Sequence, residues 1–231
     1  MKNIYFPNRT FLTLMTQMKV WVLSLMVLQM GLLTSCDDDD DSLMNEATWI
    51  ADPENYSLPK YSEWGYNTFG CVVNGLVFRS NRYLHSDMER PLTITEHEDQ
   101  RLTFRFQTSE WDYYDTRFIN EMTIDFPWDR IDGHPDLVSL DGVVIDLADE
   151  DVVVTIGTRT LSERDAVTCD TVEVDRGELE IRRVQLMYVD YEFYRTVVSG
   201  TFGLSGRTKY KSCDITQGRF DVGISGILFG E

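Results

Sequence analysis

The sequence predicts an all-β fold, namely an antiparallel two-sheet β-sandwich, with a partly closed β-barrel as the alternative. Three observations lead to this prediction. Apolar and polar residues alternate along several segments after residue 66, dipeptides typical of tight turns separate these segments, and a helical period is confined to the short stretch LSERDA. We therefore expect residues 67–231 to form one β-sandwich domain.

The predicted strands are the segments in which apolar residues recur at every second position. In QRLTFRFQ, the apolar residues Leu102, Phe104 and Phe106 alternate with polar ones. This pattern places the apolar set on a core face and the polar set in solvent, as in antiparallel sheets with one wet face. The same alternation occurs in three further sets: Met122, Ile124 and Phe126; Val152, Val154 and Ile156; and Phe220, Val222 and Ile224.

Turn dipeptides indicate where the predicted strands end. Asn74-Gly75 lies between two β-rich runs in CVVNGLVF, and Asn-Gly supplies the positive φ angles of a type I′ hairpin turn. Near Arg182 and Arg183 the apolar phase shifts by one residue, which predicts a β-bulge. Further breaks are expected at Asp132-Gly133, Asp141-Gly142, Arg176-Gly177 and within SGRTKYKS.

The first 35 residues have the organisation of a secretion signal. They contain three basic residues, no acidic residue and an apolar run over residues 20–33. This run is too short for a membrane-spanning helix, which needs about 20 apolar residues. We predict a cleaved lipoprotein-type signal peptide over residues 1–35, with translation starting at Met1 or Met18, and a buried helix as the alternative.

Cys36 directly follows the apolar run, and Leu33, Thr34, Ser35 and Cys36 resemble the lipobox of bacterial lipoproteins. The resemblance implies that the Cys36 sulfur carries diacylglycerol, that cleavage occurs before Cys36, and that the new N-terminus is acylated. Each buried methylene contributes about 0.8 kcal/mol, so several chains hold where one is marginal. The expected partner is therefore the membrane, and a cleavage site that merely contains a cysteine is the alternative.

Five consecutive aspartates follow this cysteine: Asp37, Asp38, Asp39, Asp40 and Asp41. Adjacent like charges extend the chain, so we predict an acidic flexible tether over residues 36–66, with Trp49 and Ile50 able to dock on the body. The acidic run also resembles the surface-export signal of Bacteroidota lipoproteins, which implies an outer-membrane, cell-surface location. Because an aspartate beside the cysteine is associated with inner-membrane retention in proteobacteria, a periplasm-facing location is the alternative.

The charge of the chain disfavours nucleic acid as a partner. Removal of residues 1–35 leaves 18 basic and 39 acidic residues, a net charge of −21. A chain with this charge repels phosphate backbones. The same charge is typical of a soluble protein exposed at a surface.

Three cysteines remain besides Cys36, so at most one disulfide can form within the chain. A bridge between Cys169 and Cys213 is one alternative, and buried free thiols, including Cys71, are the other. The spacing of the cysteines does not fit a zinc site, and DRIDGHPD lacks the ligand alternation of a calcium loop. We expect no metal and no cofactor.

The sequence contains no arrangement typical of a catalytic site. It has no G-x-S-x-G, no H-E-x-x-H and no phosphate-binding glycine loop. Its carboxylates are so numerous that any two of them could be paired for glycoside hydrolysis, which makes such a pair uninformative. We expect a non-enzymatic binding or structural accessory module, with a carboxylate-dependent hydrolase as a less favoured alternative.

One aromatic segment is the candidate ligand-binding surface. SEWDYYDTRF places Trp111, Tyr113 and Tyr114 among acidic residues, and Trp128 follows. Exposed rings beside carboxylates can stack on sugar faces and accept hydroxyl hydrogen bonds, which would make a glycan the partner. The alternative is that these rings fill the core or cap its edge.

Short motifs at both ends of the predicted domain resemble a family of Bacteroidota lipoproteins that contain a domain of unknown function. The motifs are the Asn-Gly hairpin in TFGCVVNGLVF, then Gly200 and Phe202 in SGTFGLSG, and finally Gly218, Arg219, Phe220 and Asp221 in ITQGRFDVGI. The resemblance implies a hairpin that pairs a G-x-F strand with a G-R-F-D strand, and a cell-envelope location. The resemblance transfers no catalytic residue. The partner that we expect besides the membrane is a glycan or an envelope protein.

Overall fold

The computed structural model describes residues 47–80, 90–111, 117–129, 131, 133–160 and 168–224. The predicted signal peptide, Cys36, the five aspartates and the LSERDA stretch lie outside these residues. The described residues form ten β-strands and a short 3-10 helix, and they contain no α-helix. The elements are β1 Thr68–Val73, β2 Leu76–Arg79, β3 Leu92–His97, β4 Arg101–Trp111, β5 Arg117–Pro127, the 3-10 helix Asp136–Leu140, β6 Val143–Asp146, β7 Val153–Thr160, β8 Thr168–Val189, β9 Glu192–Arg207 and β10 Ser212–Ile224.

The strands form one antiparallel sheet that folds into two halves. The strand order is β2-β1-β10-β9-β8-β7-β5-β4-β3, and β6 pairs with β8 outside this path. The 22-residue strand β8 joins the halves, because residues 168–172 pair with β7 whereas later residues pair with β9 and β6. Among the described strands, β2 and β3 lie at the two ends and pair with no further strand, so the sheet does not close into a barrel.

Phenylalanine side chains from both halves meet in the core. Phe106 of β4 stacks on Phe69 of β1 and on Phe202 of β9, with ring centroids 5.0 and 5.2 Å apart. Its ring also contacts that of Phe220 in β10 at 5.2 Å. Because β4 belongs to one half and β1, β9 and β10 belong to the other, the halves pack face to face. The predicted all-β, sandwich-like fold is confirmed.

The predicted alternation is confirmed in the strands that build this core. Leu102, Phe104 and Phe106 are at most 1% exposed, and Ile124 and Phe126 are fully buried. Complete burial of one such side chain stabilises the fold by about 1.5 to 3 kcal/mol relative to exposure. The phenylalanine-rich β4–β5 hairpin is therefore a main contributor to the stability of the domain.

The predicted Asn-Gly hairpin joins β1 and β2. Asn74 has a φ of 50° and Gly75 a φ of 83°, and Val73 pairs directly with Leu76 across the two-residue turn. Two successive positive φ angles are the signature of the type I′ turn, so this prediction is confirmed.

Strand β8 confirms one sequence prediction and corrects another. Its register with β9 shifts between Ile181 and Arg183, as the change of apolar phase predicted. The break expected at Arg176-Gly177 is wrong, because β8 continues through it with a register shift. A Cβ atom on Gly177 would lie 2.6 Å from the Cβ atom of Leu204, so this glycine permits close strand approach rather than a turn.

Residues 47–66, which we call the strap, pack on the domain, so the flexible tether predicted over residues 36–66 is wrong for this part. Ala51 and Pro59 form an isolated β-bridge, and Leu58 is fully buried. A Cβ atom on Gly70 of β1 would lie only 2.7 Å from the Pro59 ring. The absence of a side chain at Gly70 therefore lets the strap lie directly on the sheet.

Candidate functional site

The buried carboxylate of Asp221 holds the C-terminal end of the strap. This side chain belongs to the G-R-F-D motif, and Asp221 is 1% exposed. It accepts backbone N–H hydrogen bonds from Trp64, Gly65 and Tyr66 at 3.2, 2.7 and 3.1 Å, and a further bond from the Ser62 hydroxyl. Four donors compensate the burial of one carboxylate, which would otherwise be strongly unfavourable.

Arg219, two residues earlier in the same motif, holds the other end of the strap. Its guanidinium forms an ion pair with Asp52, and the two side chains are 14% and 13% exposed. The Glu54 backbone N–H, which donates to Asp52 at 2.9 Å, and the Arg219 guanidinium together lower the pKa of Asp52. The motif therefore supplies one attachment point in each half of the strap.

A groove of about 680 Å³ lies beside the strap on the outer face of β8, β9 and β10. Strand β9 forms its floor, because Thr201, Gly203 and Ser205 face outward while Phe202 and Leu204 are buried. Register shifts flank this floor in both neighbouring strands, between residues 174 and 176 of β8 and between residues 215 and 218 of β10. Gly203 thus lies between two irregular strands and contributes no side chain, which leaves the surface hollow.

Polar and charged side chains of both signs line the groove. Glu180 accepts hydrogen bonds from Arg182 Nε at 2.8 Å and from the Thr201 hydroxyl at 3.2 Å. Asp214 accepts one from the Ser205 hydroxyl. The lining also includes Arg176, Arg219 and Glu178, so the charges of its three arginines and three carboxylates balance. A balanced groove stands out on a chain with a net charge of −18.

Tyr61 of the strap forms one wall of the groove. The Arg182 guanidinium lies 5.3 Å from the centroid of the Tyr61 ring, and the Tyr61 hydroxyl donates to Glu63 at 2.8 Å. Burial raises the pKa of the Tyr61 hydroxyl, and because its one hydrogen is donated to Glu63, its oxygen is the atom left to accept a hydrogen bond from a ligand. Docking of the strap therefore adds a more exposed aromatic ring to a groove in which the sheet supplies only the buried Phe202.

The glycines of the G-x-F and G-R-F-D motifs make room for phenylalanine rings across the β9–β10 pair. Gly200 pairs with Phe220, and Gly218 pairs with Phe202. A Cβ atom on Gly200 would lie 2.7 Å from the Phe220 ring, and one on Gly218 would lie 2.7 Å from the Phe202 ring. Each ring therefore covers the glycine opposite to it, and this cross-strand arrangement leaves no room for a larger residue at either position.

The structure separates the residues of the predicted aromatic patch. Tyr113, Tyr114 and the side chain of Trp111 lie outside the described residues. The backbone of Trp111 ends β4, where it pairs with Arg117. Trp128 follows β5 beyond the opposite end of this hairpin, about 37 Å away at the usual rise of 3.4 Å per residue. Trp128 is therefore too distant from Trp111 to share a ligand site with it.

Trp128 packs against the core instead of presenting its ring to a ligand. The ring is half-buried and meets that of Phe126 edge-on, with centroids 6.3 Å apart. Its Nε1 donates a long hydrogen bond of 3.4 Å to the Ser139 hydroxyl. For this residue, the alternative of a ring that caps or fills the core is the one the structure supports.

The described cysteines are all free thiols, and Cys71 and Cys213 are buried while Cys169 is exposed. The Cys169–Cys213 bridge given as one alternative is thus not formed. Burial raises the pKa of the Cys71 thiol to about 12, so this cysteine is an inert core residue.

Metal, membrane and family features give no further assignment. Over the described ranges, no three His, Cys, Asp or Glu side chains come together as metal ligands. The same residues contain no helix of the length and apolar character needed to cross a membrane. Scans against protein-family models, curated proteins and solved structures returned no match.

The groove was not predicted from the sequence, although part of its signal was visible there. In SGTFGLSG, Gly203 occupies an outward position between Thr201 and Ser205, next to buried Phe202 and Leu204. A glycine on the wet face of a strand indicates a hollow or a close approach. The neighbouring bulges and the strap, which complete the groove, had no comparable local signal.

Proposed function

We propose that this chain is a lipid-anchored cell-envelope protein whose body binds a hydrophilic ligand without catalysing a reaction on it. The polar groove beside the strap carries the proposal for binding. The lipid anchor and the outer-membrane surface location rest on the resemblance of Cys36 and of the aspartates at 37–41 to lipoprotein signals.

A short, uncharged glycan is the ligand class that best fits the groove. The arginines, carboxylates and hydroxyl groups of β8, β9 and β10 line it with both hydrogen-bond donors and acceptors, and Tyr61 supplies an aromatic ring. Sugar hydroxyl groups both donate and accept, and aromatic rings offer an apolar face with a polar edge. Because the charges of the lining balance, neither a polyanion nor a polycation is favoured.

The carboxylates of the groove favour binding over hydrolysis. Glu180 is held by Arg182 and Thr201, and Asp214 is held by Ser205. A glycosidase instead needs one carboxyl group kept protonated and a second positioned opposite to it. These hydrogen bonds hold the two carboxylates in fixed positions, which suits acceptors for sugar hydroxyl groups.

Metabolic palmitate labelling combined with protease shaving of whole cells tests the anchor and the location. We expect the wild-type chain to be labelled and shaved, and Cys36→Ala to lose the label. Replacement of residues 37–41 by alanine should leave a labelled chain that protease cannot reach. A wild-type chain that is labelled but never shaved faces the periplasm, and an unlabelled one carries no lipid anchor.

Affinity electrophoresis of the purified full-length chain through gels that contain neutral polysaccharides tests the groove. We expect Glu180→Ala to weaken retention about tenfold, since hydrogen bonds to a charged group contribute about 1.5 kcal/mol or more. Gly203→Leu should also reduce retention, because its side chain fills the floor. Glu98→Ala, in an exposed turn, is the matched control and should bind as the wild type does.

The same gels distinguish the groove from the aromatic segment predicted from the sequence. If Trp111→Ala abolishes retention while both groove variants keep it, the ligand binds at the aromatic segment. If no neutral polysaccharide retains the wild-type chain, the glycan proposal is wrong, and an envelope protein becomes the ligand to identify.

A further inference from the structure

A second, apolar cavity of about 350 Å³ lies between the two halves of the sheet, on the inner face, and it shares only Ile215 of its lining with the polar groove. Phe69 and Cys71 of β1, Phe106 of β4, Met122 of β5 and Ile215 of β10 form its buried wall. All five belong to the hydrophobic core. Interiors of proteins pack as densely as organic crystals, so voids much larger than a water molecule are rare.

The outer wall of the cavity consists of apolar side chains that the core covers only in part. Val73, Phe78 and Ile156 line the cavity, and all three are half-buried residues packed against the core cluster. They come from β1, β2 and β7, which belong to opposite halves of the sheet. An apolar ligand between the halves would cover the rest of these side chains, and this burial is favourable.

One polar group of the wall also lacks a partner. Thr108 of β4 lines the cavity and is 4% exposed, and its hydroxyl has no hydrogen-bond partner among the described residues. A buried hydroxyl without a partner is unfavourable, and such groups in native structures call for an explanation. A ligand that brings its own hydroxyl or carbonyl oxygen to this wall would supply the missing bond.

The volume and the charges at the rim limit the class of ligand. An apolar cavity of about 150 Å³ holds benzene, so 350 Å³ corresponds to about a dozen carbon atoms. The rim carries Lys211 but also Glu121 and Asp170, and Glu121 is already paired with Arg105 at 3.6 Å. This mixture of charges gives a carboxylate head group no net attraction.

From these observations we infer that the cavity binds a single-chain amphiphile of about a dozen carbons with an uncharged oxygen-bearing head group, such as a fatty alcohol. The chain lies between the halves of the sheet, and the oxygen bonds to the Thr108 hydroxyl. Apart from Ile215, no residue lines both this site and the polar groove, so variants at other positions test the two ligands separately.

Retention of radiolabelled 1-decanol by the full-length chain in phospholipid nanodiscs tests the inference, with empty nanodiscs as the blank for partitioning into lipid. We expect one saturable site per chain. Thr108→Val keeps the shape of the side chain but removes the hydroxyl, so it should weaken decanol binding about tenfold. Its thermal unfolding midpoint without decanol should stay the same or rise, because the unpaired hydroxyl is gone.

A cavity-filling variant with a matched control separates binding in the cavity from binding elsewhere. Val73→Phe should abolish the saturable site, whereas Val144→Phe, on an exposed position of β6, should keep it. If Val73→Phe fails to fold by circular dichroism, Ile156→Phe takes its place. The absence of a saturable site in the wild type, or unchanged binding by a folded filled variant, would overturn the inference, and unchanged binding by Thr108→Val would overturn the assigned hydrogen bond.

Discussion

Replacement of Asp221 by alanine tests whether the strap is an integral part of the domain. The change removes the acceptor of four hydrogen bonds, of which the one from the Gly65 N–H is fully buried. A buried donor left without its acceptor costs about 1 to 3 kcal/mol. The Trp64 side of the strap is exposed, so water can accept hydrogen bonds from some of the freed donors. We therefore expect a decrease of about 3 kcal/mol in the free energy of unfolding.

Equilibrium unfolding in urea measures this decrease, and limited trypsin digestion locates it. Lys60 lies in the strap and its side chain is exposed, so a released strap should be cut there faster in Asp221→Ala than in the wild type. Asp99→Ala, in an exposed turn, should stay within about 0.5 kcal/mol of the wild type. A loss below about 1 kcal/mol together with an unchanged cleavage rate at Lys60 would refute this account of the strap.

Three further changes test the strap, the core and one buried histidine. Asp52 has a pKa below its usual 3.8, so its contribution to the free energy of unfolding is complete above about pH 4 and is lost as the pH falls through the folded pKa. Asp52→Asn should therefore reduce the loss of stability below about pH 4, measured by urea unfolding at several pH values. Gly218→Ala should destabilise by about 2 kcal/mol, because the new Cβ atom would lie 2.4 Å from the Phe202 carbonyl oxygen. Burial lowers the pKa of His134, so His134→Gln should reduce the loss of stability below about pH 6.5, measured as the thermal midpoint against pH.

Each of these three predictions has its own control. If Asp52→Asn and the wild type lose stability equally as the pH falls below about 4, the role of the Asp52–Arg219 pair is contradicted. Gly203→Ala is the matched control for Gly218→Ala, since its Cβ atom would lie 3.3 Å from the nearest backbone oxygen; equal losses would show that steric fit is not the cause. For His134→Gln, a pH profile parallel to that of the wild type would contradict the burial argument.

The strands and hairpins could be predicted from the sequence because their signals are local. The alternation through Leu102, Phe104 and Phe106 depends only on the two-residue period of a strand, and it gave the core face correctly. Asn74-Gly75 encodes its turn through the φ angles that these two residues tolerate. Arg176-Gly177 carries a similar local signal without forming a turn, because a glycine that permits close strand packing resembles in sequence one that permits a turn.

The strap and the groove could not be predicted because their partners are distant in the sequence. Ser62 and Tyr66 look like parts of a solvated linker until Asp221, 155 to 159 residues later, supplies their acceptor. The groove needs two bulges, an outward glycine and the strap together, and none of these features alone indicates a ligand site. The separation of Trp111 from Trp128 likewise depends on the pairing of β4 with β5, which residue spacing does not reveal.

Docking of the strap changes the distance at which the proposed anchor would hold the ligand groove. A tether over residues 36–66 would reach about 105 Å when fully extended, whereas the chain from Cys36 to residue 47 spans at most about 38 Å. Tyr61 both belongs to the strap and lines the groove, so any displacement of the strap also alters the binding surface. Asp221→Ala therefore has a second expected effect: it should weaken glycan retention along with stability. Ile124→Ala, a buried change in β5 outside the groove lining, should affect stability alone at temperatures where both variants stay folded. Equal retention by Asp221→Ala and the wild type would mean that the strap holds the fold without contributing to the ligand site.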